Sequence, residues 1–523
     1  MNKYIFTACL ISTAFSTYAN DWTVPDLMVG KKGLQQTVQH RVVGEGIDFY
    51  QVTRGKSVGE AYLLSSGVLN SKDVDKYTEF LNKHSIKFLL EKAPELTPNN
   101  RTLESIIRIR NIGNKEETKL LAKELQKSGL NFSVRYSAQD GYETSGPFTI
   151  SLLRIDLNKY QGKIKSILAK DKIYDAESVT SMAARNDALA AINAGFFVFN
   201  DKVGDYGAPA GIYVQNGMLL RDASNGKAGL LIDNSGETTK LQIGSSITST
   251  SFLLINGEKT QIDGINRQPG ILLNCGGYGD TPSNETMHDY VCTDKDEITA
   301  FNSFFGESSP SGEGKELIVN PEGKVVSIAD RLGANIKPDY IHLQATGGLL
   351  DSVNVGDSVV VESLVRVDNK DIALKEGMTI INAGPVLVKQ GNIDKTARND
   401  GWNPYPEIGS GEGAQDDDGL GVAASDNREG FYNGWILRRH PRTAIGMTDS
   451  NIVYAAVVYG RQPTVTEGAS ISDMENLMKA LSVDNALNLD GGGSSMMIVD
   501  GKNTGNSSDA TERKVSDALI FTK

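Results

Sequence analysis

A chain of 523 residues with 39% hydrophobic side chains is long enough for two or three packed units, and its 54 glycines favour a β-rich, loop-rich fold. The net charge of −12 excludes a general affinity for nucleic acid or an anionic membrane, so any anionic ligand must meet a local cluster of arginines. The chain opens on a secretory pattern. Lys3 is followed by a short apolar run over residues 5–15 and a small-residue site at Thr17-Tyr18-Ala19. Cleavage is expected after Ala19, with a periplasmic or secreted product. No later stretch reaches the ~18 apolar residues of a membrane helix. Export leaves Cys275 and Cys292. The pair is expected as a disulfide closing a Gly/Pro-rich loop, contributing about 3 kcal/mol. The alternative, a metal site, lacks further Cys ligands.

A strand is predicted over residues 47–53. A repeated unit then follows. Strand 61–65 leads to a helix over 71–84, with Ser71 as N-cap and Val74, Tyr77, Phe80 and Leu81 at helical spacing, and then to strand 87–91. The pattern recurs as strand 105–110, a helix over 114–128 with Leu120, Leu121 and Leu125 apolar, and strand 131–136. Strand–helix–strand twice over is a ferredoxin-like βαββαβ unit.

After residue 141 the character changes. The spacing predicts a strand over 149–156, a helix over 178–186, and short strands and turns to about residue 390. Residues 405–434 are rich in Gly, Asp, Ser and Asn and read as a long surface loop or lid. A helix over 472–481 places Met474, Leu477, Met478 and Leu481 on one face. The expected class is α+β: a mixed or antiparallel β-sheet catalytic domain with the ferredoxin-like insert. The expected division is 1–19 leader, 20–57 start of the catalytic domain, 58–139 insert and 140–523 remainder of the catalytic domain.

Five stretches set a polar or charged residue beside glycine at the end of an apolar run. They contain Asn193 and Gly195, Asn382 and Gly384, His440 with Arg442 and Thr443, Arg461, and the Asn488-Leu489-Asp490-Gly491-Gly492-Gly493-Ser494 turn. Each alone is a common turn; five in one domain point to a site. The three glycines bare backbone N–H groups for an anion or a sugar.

These residues resemble the phosphodiester glycosidase family, whose activity removes N-acetylglucosamine from phosphodiesters. The likeness rests on "SMAARNDALAAINAGFF", "NAGPVLVKQG", "HPRTAIGM", "GASISDMENLMKALSVDNALNLDGGGSSMM" and "SSDATERKVSDAL". Tyr459 stands where the family has Asp before Gly-Arg, and Asp473 where Glu is usual. The inserted unit resembles the SPOR domain through "SIIRIRNIGNKEETKLLAKELQKSGLNFSVR", which implies peptidoglycan as a partner. A ferredoxin-like unit without glycan binding is the other reading.

The resemblance implies a phosphorylated glycan substrate and hydrolysis of a sugar-1-phosphodiester, and the residue chemistry fits. Arg442 and Arg461 suit bidentate phosphate contacts. An oxocarbenium-like transition state rewards a carboxylate. Asp490 is assigned that role, as nucleophile, base or charge stabiliser. Asn193 and Asn488 are assigned to sugar hydroxyls or an N-acetyl group, and the N–H groups of Gly491 to Gly493 to the phosphate. His440 is the candidate general acid, against a histidine that satisfies loop hydrogen bonds. Asp473 is a candidate carboxylate that also suits a helix cap, and Arg513 suits an ion pair. No cofactor is expected; Asp416 to Asp418 offer a calcium alternative or a solvated acidic loop. Two other functions compete: a non-catalytic envelope glycan-binding protein, and a phosphodiesterase cutting P–O.

Overall fold

The computed structural model describes residues 22–59, 61–92, 103, 105–141, 144–201, 204–224, 226–269, 272–273, 281–282, 291–293, 296–393, 395, 402 and 428–523. The expected leader, the Cys275–Cys292 bridge and the Asp416–Asp418 run fall on residues or side chains outside that set, as does most of the expected lid.

The class is α+β, with mostly antiparallel sheets and few helices. The central layer is a seven-stranded sheet. Its order is Gln36–Gly44, Ile47–Arg54, Phe148–Asp156, Ile452–Val458, Arg442–Met447, Asn485–Asn488 and Val386–Val388, every neighbour antiparallel. Its central strands are apolar on both faces. Along Ile452–Val458, Val453, Ala455 and Val457 enter one core while Tyr454, Ala456 and Val458 enter the other. Such continuous apolar runs mark strands covered on both sides, because side chains alternate with period two. One face is covered by helix Ile471–Ala480 through Met474, Leu477 and Met478. The other meets a second sheet built from Ala190–Asn193, Met497–Val499, Asp517–Phe521 and Ile164–Leu168. That sheet's far side holds helix Val179–Arg185 through Val179, Met182 and Ala183. The result is a helix–sheet–sheet–helix stack, each buried Val, Leu or Ile contributing about 1.5–3 kcal/mol. Two further sheets, with strands such as Ile247–Ile255, Val359–Val367 and Gly312–Val319, close around their own core.

The inserted unit departs from this stack between adjacent strands. Arg54 pairs with Phe148 across the Ile47–Arg54 and Phe148–Asp156 ladder, so residues 61–136 leave and return at one sheet edge. Its strands lie in the order Leu89–Glu91, Ser105–Ile109, Tyr62–Leu69, Ser133–Tyr136, all antiparallel. This is the ferredoxin-like arrangement, with helices Ser71–Lys83 and Lys115–Lys127. Beyond shifts of one or two residues at element ends, two readings change. Asn70, not Ser71, caps the first helix, its Oδ1 accepting from the Asp73 N–H at 2.9 Å. The described end of the expected 405–434 loop is helical, as helix Arg428–Tyr432 and a π-helical turn Asn433–Leu437. Buried Tyr432, Ile436 and Leu437 override the polar local composition there. Among the described residues no helix is long and apolar enough to cross a membrane.

Candidate active site

Strands Ala190–Asn193, Met378–Asn382 and Asn485–Asn488 each end on asparagine. Asn193 is fully buried. Its Nδ2 donates to the Asp490 carbonyl at 2.7 Å, and its Oδ1 accepts from the Thr443 hydroxyl at 2.7 Å and the Met496 N–H at 3.1 Å. Asn382 clamps the next turn. Its Oδ1 accepts from the Phe196 N–H at 3.0 Å and its Nδ2 donates to the Phe196 carbonyl at 3.2 Å. Asn488 Nδ2 donates to the carbonyls of Gly384 and Leu489 at 3.0 and 2.7 Å. These amides continue the backbone bonding where the ladders stop. The sequence reading assigned Asn193 to the sugar. In the structure its Oδ1 and one N–H, and the Thr443 hydroxyl with them, hold the Asp490 turn. Gly195 packs closely there, since a Cβ would lie 3.0 Å from Asn382 Nδ2 and 3.1 Å from the Asn382 carbonyl oxygen.

The turn itself explains its three glycines. A Cβ on Gly491 would lie 3.1 Å from the Pro441 carbonyl oxygen, one on Gly492 would lie 3.1 Å from Arg461 Nη2, and one on Gly493 would collide with the Asp509–Arg513 pair. Gly492 and Gly493 each leave room for an arginine, and Gly491 for the backbone before Arg442. Arg442 is buried, with its guanidinium carbon 4.6 Å from the Trp435 ring centroid, Nε donating to the Ala469 carbonyl at 3.1 Å and Nη2 donating to the Trp435 carbonyl. Burial, then the charge of Arg461, brings its pKa down to about 9. Arg461 is exposed, and Arg513 holds Asp509 at 2.9 Å.

Asp490 is only partly open to solvent. Its Oδ1 accepts from the Gly491 N–H at 2.7 Å, and its own N–H donates to the Ala194 carbonyl at 2.9 Å. Burial pushes its carboxyl up to about 6, against the pull of the Ser494 hydroxyl, the Gly491 N–H, Arg513 and Arg442. A second carboxyl, which the sequence reading missed, lies close to it. Asp517 is buried; its Oδ1 accepts from the Gly195 N–H at 3.0 Å and its Oδ2 from the Ser166 hydroxyl at 3.3 Å. Burial is the main cause that lifts Asp517 to about 7, and the Asp490 charge adds to it. The signal that could have found it is an acidic residue opening the otherwise apolar strand Asp517–Phe521.

Two other expected groups are engaged elsewhere. His440 Nε2 donates to the Gly434 carbonyl at 2.6 Å, while Nδ1 accepts from Arg461 Nη2 at 3.2 Å. Burial and the charges of Arg442, Arg461 and Arg438 hold its pKa well below the usual value, so the ring is neutral and its one proton is bonded. Asp473 forms a capping box with Ser470. Its Oδ1 accepts from the Gly30 N–H at 3.0 Å and its Oδ2 pairs with Arg439 Nε at 2.9 Å, so both oxygens serve the scaffold. Tyr459 is likewise internal, its hydroxyl meeting Asn503 at 3.1 Å and Thr504 at 3.0 Å.

An aromatic group flanks the turn. Trp402 and Trp435 lie with ring centroids 4.1 Å apart, and Phe196 is 5.7 Å from Trp402. Among the described residues no group of three or more His, Cys, Asp or Glu is arranged to hold a metal ion. A separate groove of about 600 Å³, lined by residues including Met218, Phe301, Tyr340 and Leu374, has Asp339 as its only charged side chain and lacks the cations a phosphate needs.

Residues 297–522 match the family model for phosphodiester glycosidase (NAGPA). Over this segment the chain is similar to phosphodiester glycosidases. The segment contains Asn382, His440, Arg442, Arg461, the glycine turn and Asp517, while Asn193 reaches Asp490 from outside it. A curated relative, the SPbeta prophage-derived uncharacterized protein YomE of Bacillus subtilis (strain 168), is 41% identical over 83 residues. That match spans 16% of this chain and 13% of the relative. The crystal structure of a Burkholderia pseudomallei K96243 protein, described as exported, is 27% identical with a TM-score of 0.84, covering 97% of this chain and 100% of that one. A hypothetical protein from Synechocystis shares the fold at 15% identity and a TM-score of 0.52, covering 94% and 81% of the two chains.

Proposed function

We propose that the chain is an exported glycosidase that hydrolyses a sugar-1-phosphodiester and releases the free sugar. The observation that carries this reading is Asp490: a carboxyl held near 6, on which Arg442 and Arg513 act, in a turn where Gly492 and Gly493 leave room for Arg461 and Arg513. In this reading Arg461 and the Gly493 N–H hold the phosphate, and buried Arg442, its Nε and Nη2 bonded to carbonyls, adds its charge; the Gly491 and Gly492 N–H groups are taken by Asp490 Oδ1 and the Pro441 carbonyl. Asp490 faces C1 and is ionised at neutral pH, as nucleophile, as base toward water or as stabiliser of the oxocarbenium charge. The C1–O bond breaks, its electron pair leaves with the phosphate, and water supplies the hydroxyl to C1 and a proton to the phosphate side. A phosphate monoester departs without strong acid assistance, which agrees with a neutral His440 that has no free proton. Asn193, Asn382 and Asp473 act through the scaffold, by positioning the turn and its helix.

Export rests on the Lys3-to-Ala19 pattern and on the neighbour described as exported. Peptidoglycan as a partner of residues 58–139 rests on the SPOR-like sequence pattern alone.

The test is release of GlcNAc from a GlcNAc-1-phosphodiester in ¹⁸O-water. Label in the sugar supports the reading. Label in the phosphate assigns a phosphodiesterase, and tight glycan binding with no turnover assigns a binding protein.

A further inference from the structure

The inserted unit has one face covered by its own helices and one face that is not. Leu64, Ile107, Ile109 and Val134 point to the helices. The cross-strand partners Ser65 and Arg108, and Leu63 and Arg135, therefore lie on the opposite face. That face is turned toward the glycosidase domain. Arg439 joins the two, its N–H donating to the Gln139 carbonyl and its Nη1 to the Ala138 carbonyl, both at 3.1 Å. Gly141 approaches so closely that a Cβ would lie 2.6 Å from the Leu437 carbonyl oxygen.

Among the described residues four arginines at this seam, Arg108, Arg135, Arg438 and Arg439, share three carboxylates, Asp140, Glu91 and Asp473. Arg108 is met by Asp140 and Glu91, and Arg439 by Asp473. Arg438 has only Asp140, at 3.8 Å, and its buried Nε finds no hydrogen-bond acceptor among the described residues. Arg135, partly buried, adds its charge to burial in bringing Arg438 down to about 10, and the single carboxylate of Asp140 acts on both arginines while also pairing with Arg108. Arg442 Nη2 reaches the Arg438 carbonyl at 3.5 Å and Arg461 Nη2 donates to His440 Nδ1 at 3.2 Å, so this charge adjoins the arginines of the glycine turn. Like charges held together out of water are unfavourable unless an anion joins them.

We propose that Arg135 of the insert and Arg438 of the glycosidase domain form a second anion subsite, so that the substrate is a glycan chain carrying successive phosphodiesters rather than one isolated sugar phosphodiester. The proposal rests on the glycine turn being the first phosphosugar subsite. It gives the insert a role in the substrate site through the sheet face that its helices leave open.

The test is calorimetric binding to the full-length protein of a synthetic glycosyl-1-phosphate trimer and of its single-phosphodiester counterpart. Arg135→Gln is expected to weaken the trimer about tenfold, the loss of one charge-assisted contact, and to leave the monomer within about twofold. Arg135→Lys, which keeps the cation, should recover most of the preference. Its melting temperature and that of Arg135→Gln should equal or exceed the parent's, since no carboxylate is abandoned. Equal losses for both ligands, no loss for either, or equal affinity for an oligoglucuronate of the same charge would overturn the proposal. If neither ligand is hydrolysed but the Arg135-dependent preference persists, the subsite stands and the glycosidase reading fails.

Discussion

Asp490→Asn separates the chemistry of the turn from its stability. A carboxyl held at about 6 in place of its ordinary 3.8 disfavours the folded state once it ionises. At about 1.4 kcal/mol per pKa unit, the opposition is about 3 kcal/mol at pH 8, about 1.6 kcal/mol at pH 5 and about 0.5 kcal/mol at pH 4. The sign follows from the raised value: the penalty is present above about 6 and is relieved as pH falls toward 3.8. Asparagine keeps an oxygen for the Gly491 N–H and removes the charge. The variant should therefore be more stable than the parent by about 2–3 kcal/mol at pH 8, with the gap closing by pH 4. Guanidinium unfolding at the three pH values measures it. Sugar release should fall by about 10²–10⁴-fold in the same protein, and the parent's kcat/KM should decline tenfold for each pH step below about 6. A variant no more stable than the parent at pH 8, or one with an unchanged pH–stability profile, refutes the assignment of a buried, destabilised carboxylate at this position.

Asn193→Ala removes the partner of the Asp490 carbonyl, the Thr443 hydroxyl and the Met496 N–H together. A loss of about 2–4 kcal/mol by denaturant unfolding is expected; less than about 0.5 kcal/mol would show that the turn holds itself. Asp473→Asn leaves the buried Arg439 without its carboxylate and should cost about 3–5 kcal/mol. Activity per folded molecule should stay within a fewfold at low temperature, and a selective collapse of kcat would return Asp473 to the chemistry. Arg461→Ala, at an exposed side chain, should leave the melting temperature unchanged. It should also raise KM about tenfold or more and flatten its salt dependence.

The elements of the insert were readable because each is local. Leu125 recurs on the helical spacing, and Asn114 with Glu117 forms the capping box that starts its helix. The turn after Asn488 was also readable, as a glycine run that ends an apolar strand. What these residues do was less so. Asn193, Asn488 and Asp473 have the right polarity for a site, yet polarity does not say whether a side chain faces a ligand or the backbone of a distant segment. Asp473 meets Gly30 across 443 residues, and Asn193 meets Asp490 across 297. Neither pairing leaves a periodic trace.

The sequence alone therefore determined the α+β character, the repeated unit, the glycine turn and its kinship with phosphodiester glycosidases, because propensity, periodicity and short motifs act over a few residues. Only the tertiary structure decided which carboxyl is buried, that the Asp490 charge acts on Asp517, and that Gly492 and Gly493 of the turn leave room for Arg461 and Arg513. It also decided that the open face of the insert, with Arg135, is turned to Arg438. Those facts depend on desolvation and on charge through space, and both are set by the packing of strands from opposite ends of the chain.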